Sequence, residues 1–74
     1  MERGHEAVLF QFGKRVRQLR RQVGFSQEEL AHRSGMDRTY ISQIERGVCN
    51  PSLMAMLNVA HALGQPLSAL FCEN

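Results

Sequence analysis

Arg38, Thr39, Ser42, Gln43 and Arg46 all fall between residues 38 and 46, and each has a side chain that can address a base edge. Arginine matches guanine O6 and N7, glutamine matches adenine N6 and N7, and a threonine methyl can meet the methyl of thymine. At about 100° per residue, Thr39, Ser42, Gln43 and Arg46 share one side of a helix, opposite Ile41 and Ile44, with Arg38 at the exposed N-terminal end. Glu45 falls close to the isoleucine side, so its carboxylate is partly buried and needs a partner; Arg20 is the candidate. A solvated polar helix face would have the same composition, and the surrounding elements must decide between the two. The other reactive side chains are scattered. His5, His32 and His61 lack ligand spacing, Cys49 and Cys72 have no histidine at motif distance, and Ser26 sits in no nucleophile motif. No metal, cofactor or enzymatic activity is expected.

The elements that must position this face are short helices separated by punctuation. Leu9, Phe12, Val16, Leu19 and Val23 recur at spacings of three and four, one stripe of an amphipathic helix, and Gly24 stops it. Ser26-Gln27-Glu28-Glu29 forms a capping box in which Ser26 caps a second helix and Glu29 reaches back. That helix runs to about Ser34 and stops at Gly35. Asp37 caps a third helix ending at Gly47. Asn50-Pro51 gives a cap and a first-turn proline to a fourth helix, which continues to Leu63 and stops at Gly64. Pro66 opens a last short turn carrying Leu67, Leu70 and Phe71. No hairpin dipeptide occurs and β-branched residues do not cluster. The expected architecture is all-α: one compact five-helix domain spanning 1–74, with 1–6 flexible.

The second and third helices are joined by a short, glycine-containing turn, the arrangement of a helix-turn-helix. Ala31 is small where the third helix packs on the second, Gly35 occupies the turn, and Leu30, Met36, Ile41 and Ile44 supply apolar contacts. With this spacing the outward polar face reads as a base-reading surface, led by its N-terminal residues Arg38 and Thr39.

The stretch from Gly24 to Leu63, with SQEELA, a turn glycine, the isoleucine pair and IERG followed by NPS, resembles the phage repressor/Cro helix-turn-helix family. The likeness extends from Leu19-Arg20 to Leu70-Phe71. RTYIS followed by IERG is particularly similar to the controller proteins of restriction-modification systems. The resemblance implies a lambda-repressor-like fold and residue roles. Arg38, Thr39, Ser42 and Gln43 correspond to base-reading positions. Gln27, Tyr40, Arg46 and Asn50 correspond to positions that contact or order the DNA backbone. Arg20 and Glu45 match a structural ion pair. Cys49 departs from the pattern, standing where relatives often carry a basic or polar residue.

Charge and composition bound the rest. The 74 residues carry a net charge of +2, leave no room for an appended effector or catalytic domain, and include no apolar run long enough for a membrane span. Lys14, Arg15, Arg17, Arg20 and Arg21 crowd one segment, with Arg15, Arg17 and Arg21 expected to be solvated or, for one in three, to touch phosphate. From Gly47 onward Glu73 is the only formal charge. The cationic end favours a polyanion. The fourth helix carries more apolar surface than one core-facing stripe needs, so a two-fold homodimer is expected through Met54, Leu57, His61, Leu67 and Leu70. The sequence therefore reads as a cytoplasmic, bacterial or phage-encoded transcriptional regulator with reduced thiols. It would bind double-stranded DNA at a palindromic operator, regulate its own promoter, and touch RNA polymerase where it activates. The alternative is an antitoxin or other protein-interaction module that uses the apolar C-terminal end.

Overall fold

The computed structural model describes residues 2–71, with side-chain burial defined from residue 5 onward. The element order is α1 (Glu2–Gln22), α2 (Gln27–Ser34), α3 (Arg38–Arg46), α4 (Leu53–Ala62) and a terminal 3₁₀ segment (Leu67–Phe71). Among the described residues there are no strands. The fold is all-helical as expected, but with four α-helices. The anticipated fifth is a five-residue 3₁₀ segment, with the Ala69 N–H donating to the Pro66 carbonyl at 3.0 Å. So short a segment has few α-type bonds to gain, and the tighter turn serves instead.

α1 is longer than its apolar stripe requires. It begins at Glu2, so the helix takes in residues 2–6, while Met1 lies outside the described residues. The stripe also ends earlier. Val23 lies past the helix, in the turn, and is exposed. α4 starts later than Asn50-Pro51 would place it. Pro51 is buried in the preceding loop, and Ser52 is the cap, its extended backbone aiming Oγ to accept from the Ala55 N–H at 3.1 Å.

One core joins all the elements. Phe12, Val16 and Leu19 of α1 meet Leu30 and Ala31 of α2, Ile41 and Ile44 of α3, and Val59, Ala60 and Leu63 of the α4 end, with Leu70 closing the C-terminal side. Val16, Leu30, Ile41, Ile44, Val59 and Leu70 are fully buried, each contributing about 1.5–3 kcal/mol. The 3₁₀ segment is tied back to α1 by the Phe12–Phe71 ring contact at 5.1 Å and by Arg15, whose Nε donates to the Ala69 carbonyl at 2.9 Å. Arg15 is thus a clasp between the chain's two ends rather than a solvated charge.

α1 crosses α3 at Gly13. A Cβ there would stand 2.1 Å from the Ile44 carbonyl oxygen and 2.8 Å from that of Glu45. Only a glycine lets the two backbones come this close, and this crossing fixes the angle at which α3 is presented.

Candidate nucleic-acid interface

α2 and α3 form the unit that displays the polar face. The Ser26 Oγ accepts from the Glu29 N–H at 3.0 Å, which fixes the start of α2. The reciprocal half of the capping box is absent, because the Glu29 carboxylate instead accepts from Arg33 one turn on. Arg33 also lies over the Phe25 ring, 4.5 Å from its centroid. At the turn, Gly35 adopts φ +72°, and the Met36 N–H returns to the Ala31 carbonyl at 2.9 Å. A side chain at Gly35 would strain this left-handed turn, which sets the direction of α3.

Asp37 occupies the N-cap position with extended backbone, and its carbonyl accepts from the Ile41 N–H, but its side chain makes no capping bond. The start of α3 is held by backbone and packing. Its far end closes at Gly47, φ +73°, where a Cβ would approach the Phe10 Cα to 2.9 Å.

α3 has two chemically distinct sides. Inward, Ile41 and Ile44 are buried. Outward, Arg38, Thr39 and Arg46 are exposed, and Ser42 and Gln43 are half-buried. Among the described residues, these five side chains make no hydrogen bond or ion pair within the protein. Their donors and acceptors remain available to a ligand.

Beside this face lies a buried polar hub. Glu45 is 3% exposed and Arg20 9%. Arg20 Nε donates to Glu45 Oε2 at 2.6 Å and Nη2 to Oε1 at 3.0 Å, a two-pronged pair, while Nη1 donates to the Phe25 carbonyl at 2.9 Å. Gln27, the first residue of α2, also donates its Nε2 to Glu45 Oε1, at 3.1 Å. One N–H of that amide is spent on Glu45, and its second N–H makes no hydrogen bond among the described residues. Arg17 approaches the same oxygen at 3.6 Å; it is half-buried against the hub, not freely solvated. No buried side-chain nitrogen or oxygen lacks a partner among the described residues.

The remaining site residues are more dispersed. Tyr40 is half-buried and packs on the core at the edge of α3. Asn50 is exposed in the α3–α4 loop and, with His5, Val8 and Leu9, borders a shallow pocket. Cys49 is free and half-buried, and burial pushes its thiol pKa up. Cys72 lies outside the described residues. His32 and His61 flank an open groove with Glu29 and Arg33, and no three potential ligands assemble for a metal among the described residues. No described helix is long and apolar enough to cross a membrane.

Elsewhere, α4 buries Ala55, Val59 and Ala60 and exposes Leu53, Met54 and Leu57, with Met54 63% exposed. His61 is exposed and Leu67 half-buried. Leu70, expected at a subunit interface, has no exposed surface because the 3₁₀ segment turns it into the protomer's own core. Leu53 and Phe71, outside the expected interface set, are also exposed apolar side chains.

A family model described as helix-turn-helix matches residues 16–70. The chain belongs to this helix-turn-helix family. Its relatives there are transcriptional regulators, among them control proteins and repressors. The helix-turn-helix chain is 48% identical over 61 residues to the control protein C.BamHI of Bacillus amyloliquefaciens, covering 80% of this chain and 75% of that one. Its fold matches the restriction-modification controller protein C.AhdI from Aeromonas hydrophila with a TM-score of 0.86 at 48% identity, over 88% of this chain and 98% of that one. It also matches the biofilm regulator SinR in a structure of that protein in complex with DNA, with a TM-score of 0.78 at 34% identity, over 82% and 98% of the two chains.

Proposed function

We propose that the protein is a sequence-specific regulator of transcription that binds double-stranded DNA as a symmetric dimer. The observation that carries this reading is the outward face of α3: a fixed set of Arg, Thr, Ser, Gln and Arg side chains with no partners inside the protein, held from behind by two buried isoleucines. A nine-residue helix is about 13 Å long and suits the major groove, about 12 Å wide. Arg38 and Thr39, at its N-terminal end, are placed to read bases first, followed by Ser42 and Gln43. Gln27, Tyr40, Arg46 and Asn50 flank them as backbone-positioning groups, which fix register without carrying sequence information. SinR, of similar fold, has been captured with DNA, which supports duplex DNA as the ligand here.

The dimer is built on α4. Met54 and Leu57, with Leu53 beside them, form an exposed apolar strip flanked by His61 and Leu67. A second copy covering this strip doubles the bases read and places the two α3 helices about 34 Å apart, on successive turns of one duplex face. An antitoxin would offer the same strip to another protein; self-association fits better with a base-reading face that gains from duplication. The likeness to C.BamHI and C.AhdI favours a controller of a restriction-modification system that also acts on its own promoter, set by protein concentration and, at activating sites, by contact with RNA polymerase.

Selection of bound duplexes from a random pool tests this directly. The expected product is an inverted repeat with half-site centres about one helical turn apart. Enrichment of a single unrepeated site would remove the symmetric dimer, and no enrichment at all would remove sequence-specific binding.

A further inference from the structure

Resting on the DNA-binding reading above, we propose that Arg17 of α1 binds a DNA phosphodiester, and that Glu45 holds Arg17 and Gln27 together as a two-residue clamp on that phosphate. A single oxygen, Glu45 Oε1, receives Gln27 Nε2 at 3.1 Å and has Arg17 Nε at 3.6 Å. The two heads come from different helices, yet each stands within about one polar contact of the same atom.

The charge balance at this point is uneven. Glu45 is a single carboxylate whose two oxygens are already taken by the two-pronged Arg20 contact. Arg20 therefore consumes the negative charge, and the positive charge of Arg17 is left uncompensated. At 3.6 Å the Arg17 contact is an ion pair without a hydrogen bond, so the forked N–H groups of Arg17 remain unspent. Its side chain is 42% exposed while that of Glu45 is fully covered; one edge of the guanidinium rests on the hub and the remainder faces water. Lys14 and Arg21, exposed one turn away on either side, add to the same field.

The location fits an anion of one kind. On the α3 wheel, Glu45 lies between buried Ile41 and the outward pair Arg38 and Ser42. Arg17 and Gln27 thus stand at the rim of the base-reading face. When a helix enters a groove, its rim meets the phosphates that wall the groove, and a planar arginine fork matches two phosphate oxygens. Glu45 positions both residues before DNA arrives.

The test compares full-length wild type with Arg17→Gln, Arg17→Lys, Gln27→Ala and Arg17→Gln/Gln27→Ala, measuring affinity against salt on the selected duplex and on a random duplex. Arg17→Gln is expected to weaken both duplexes by the same factor and to flatten the slope of log affinity against log salt by about 0.9. Arg17→Lys should retain the slope, and the double variant should lose less than the product of the two single losses. Circular dichroism melting of Arg17→Gln should match wild type. An unchanged slope in Arg17→Gln, or a loss confined to the selected duplex, overturns the phosphate contact. Strictly multiplicative losses overturn the clamp. If wild type binds neither duplex, the DNA-binding reading itself fails, a result separate from these.

Discussion

Removing the Glu45 carboxylate should destabilise the protein far more than an ordinary surface change. In Glu45→Ala, Arg20, 9% exposed, keeps its bond to the Phe25 carbonyl but loses both contacts that neutralise its charge. Breaking a buried ion pair from one side costs about 3–5 kcal/mol, because the remaining charge is stranded. A chain of 74 residues has a total stability of about 4–11 kcal/mol, so this one substitution removes a large fraction of it. The melting temperature should fall by about 12–40 °C. The companion variant, Arg20→Met/Glu45→Leu, removes both charges and fills the space. It should return to within about 1–2 kcal/mol of wild type, the remainder being the lost bonds to the Phe25 carbonyl and from the Gln27 amide. Urea denaturation followed by far-ultraviolet circular dichroism measures both. A Glu45→Ala cost below about 1 kcal/mol, or a double variant less stable than Glu45→Ala, would refute the reasoning that a stranded guanidinium is the source of the loss.

Gly13→Ala should destabilise by about 1–3 kcal/mol, measured by the same urea titration, because the new Cβ meets the Ile44 carbonyl at 2.1 Å; helix propensity alone predicts a gain of about 1 kcal/mol, so the sign of the change discriminates. Leu57→Glu, on the exposed side of α4, should shift sedimentation from dimer to monomer and remove the concentration dependence of the melting temperature that dimerisation confers; an unaltered sedimentation coefficient would move the interface elsewhere. In a Cys72→Ser background, Cys49 should alkylate more slowly at neutral pH than a small-molecule thiol. Burial raises its pKa and so keeps it in the unreactive thiol form, and its rate should rise only at higher pH. An ordinary pH–rate profile in the folded protein would contradict this.

The parts of the fold governed by neighbours in sequence could be read directly from the chain. Gly24, Gly35 and Gly47 end helices or turns with positive φ, and Ser26 caps α2, because each effect spans only a few residues. The two-sidedness of α3 was equally readable, since Ile41, Ile44 and Glu45 turn inward through simple helical geometry. Local pattern failed where competing partners were close in energy. Ser52 rather than Asn50 caps α4, Glu29 prefers Arg33 to the backbone, and Asp37 leaves its cap unmade. It failed altogether where the partner is remote. Arg15 finds the Ala69 carbonyl across the chain, and Leu70 disappears into the core once the 3₁₀ segment folds back. Gly13 offered a faint signal, a glycine in the middle of a helical pattern, but its meaning depends on the α1–α3 crossing. At the candidate site, the outward residues of α3 were legible as a set; the sharing of Glu45 by Arg17, Arg20 and Gln27 was not, because it joins three helices.

The central claim is that the outward side of α3 reads base edges, and it is tested most directly by the ratio of affinities of Arg38→Ala for the selected duplex and for random DNA. Loss of a base contact should weaken the selected duplex by about 1–3 kcal/mol, leave random DNA changed only by the loss of one general charge, and relax preference at one base position. Equal weakening on both duplexes, with every position of the selected site still preferred as in wild type, would contradict it.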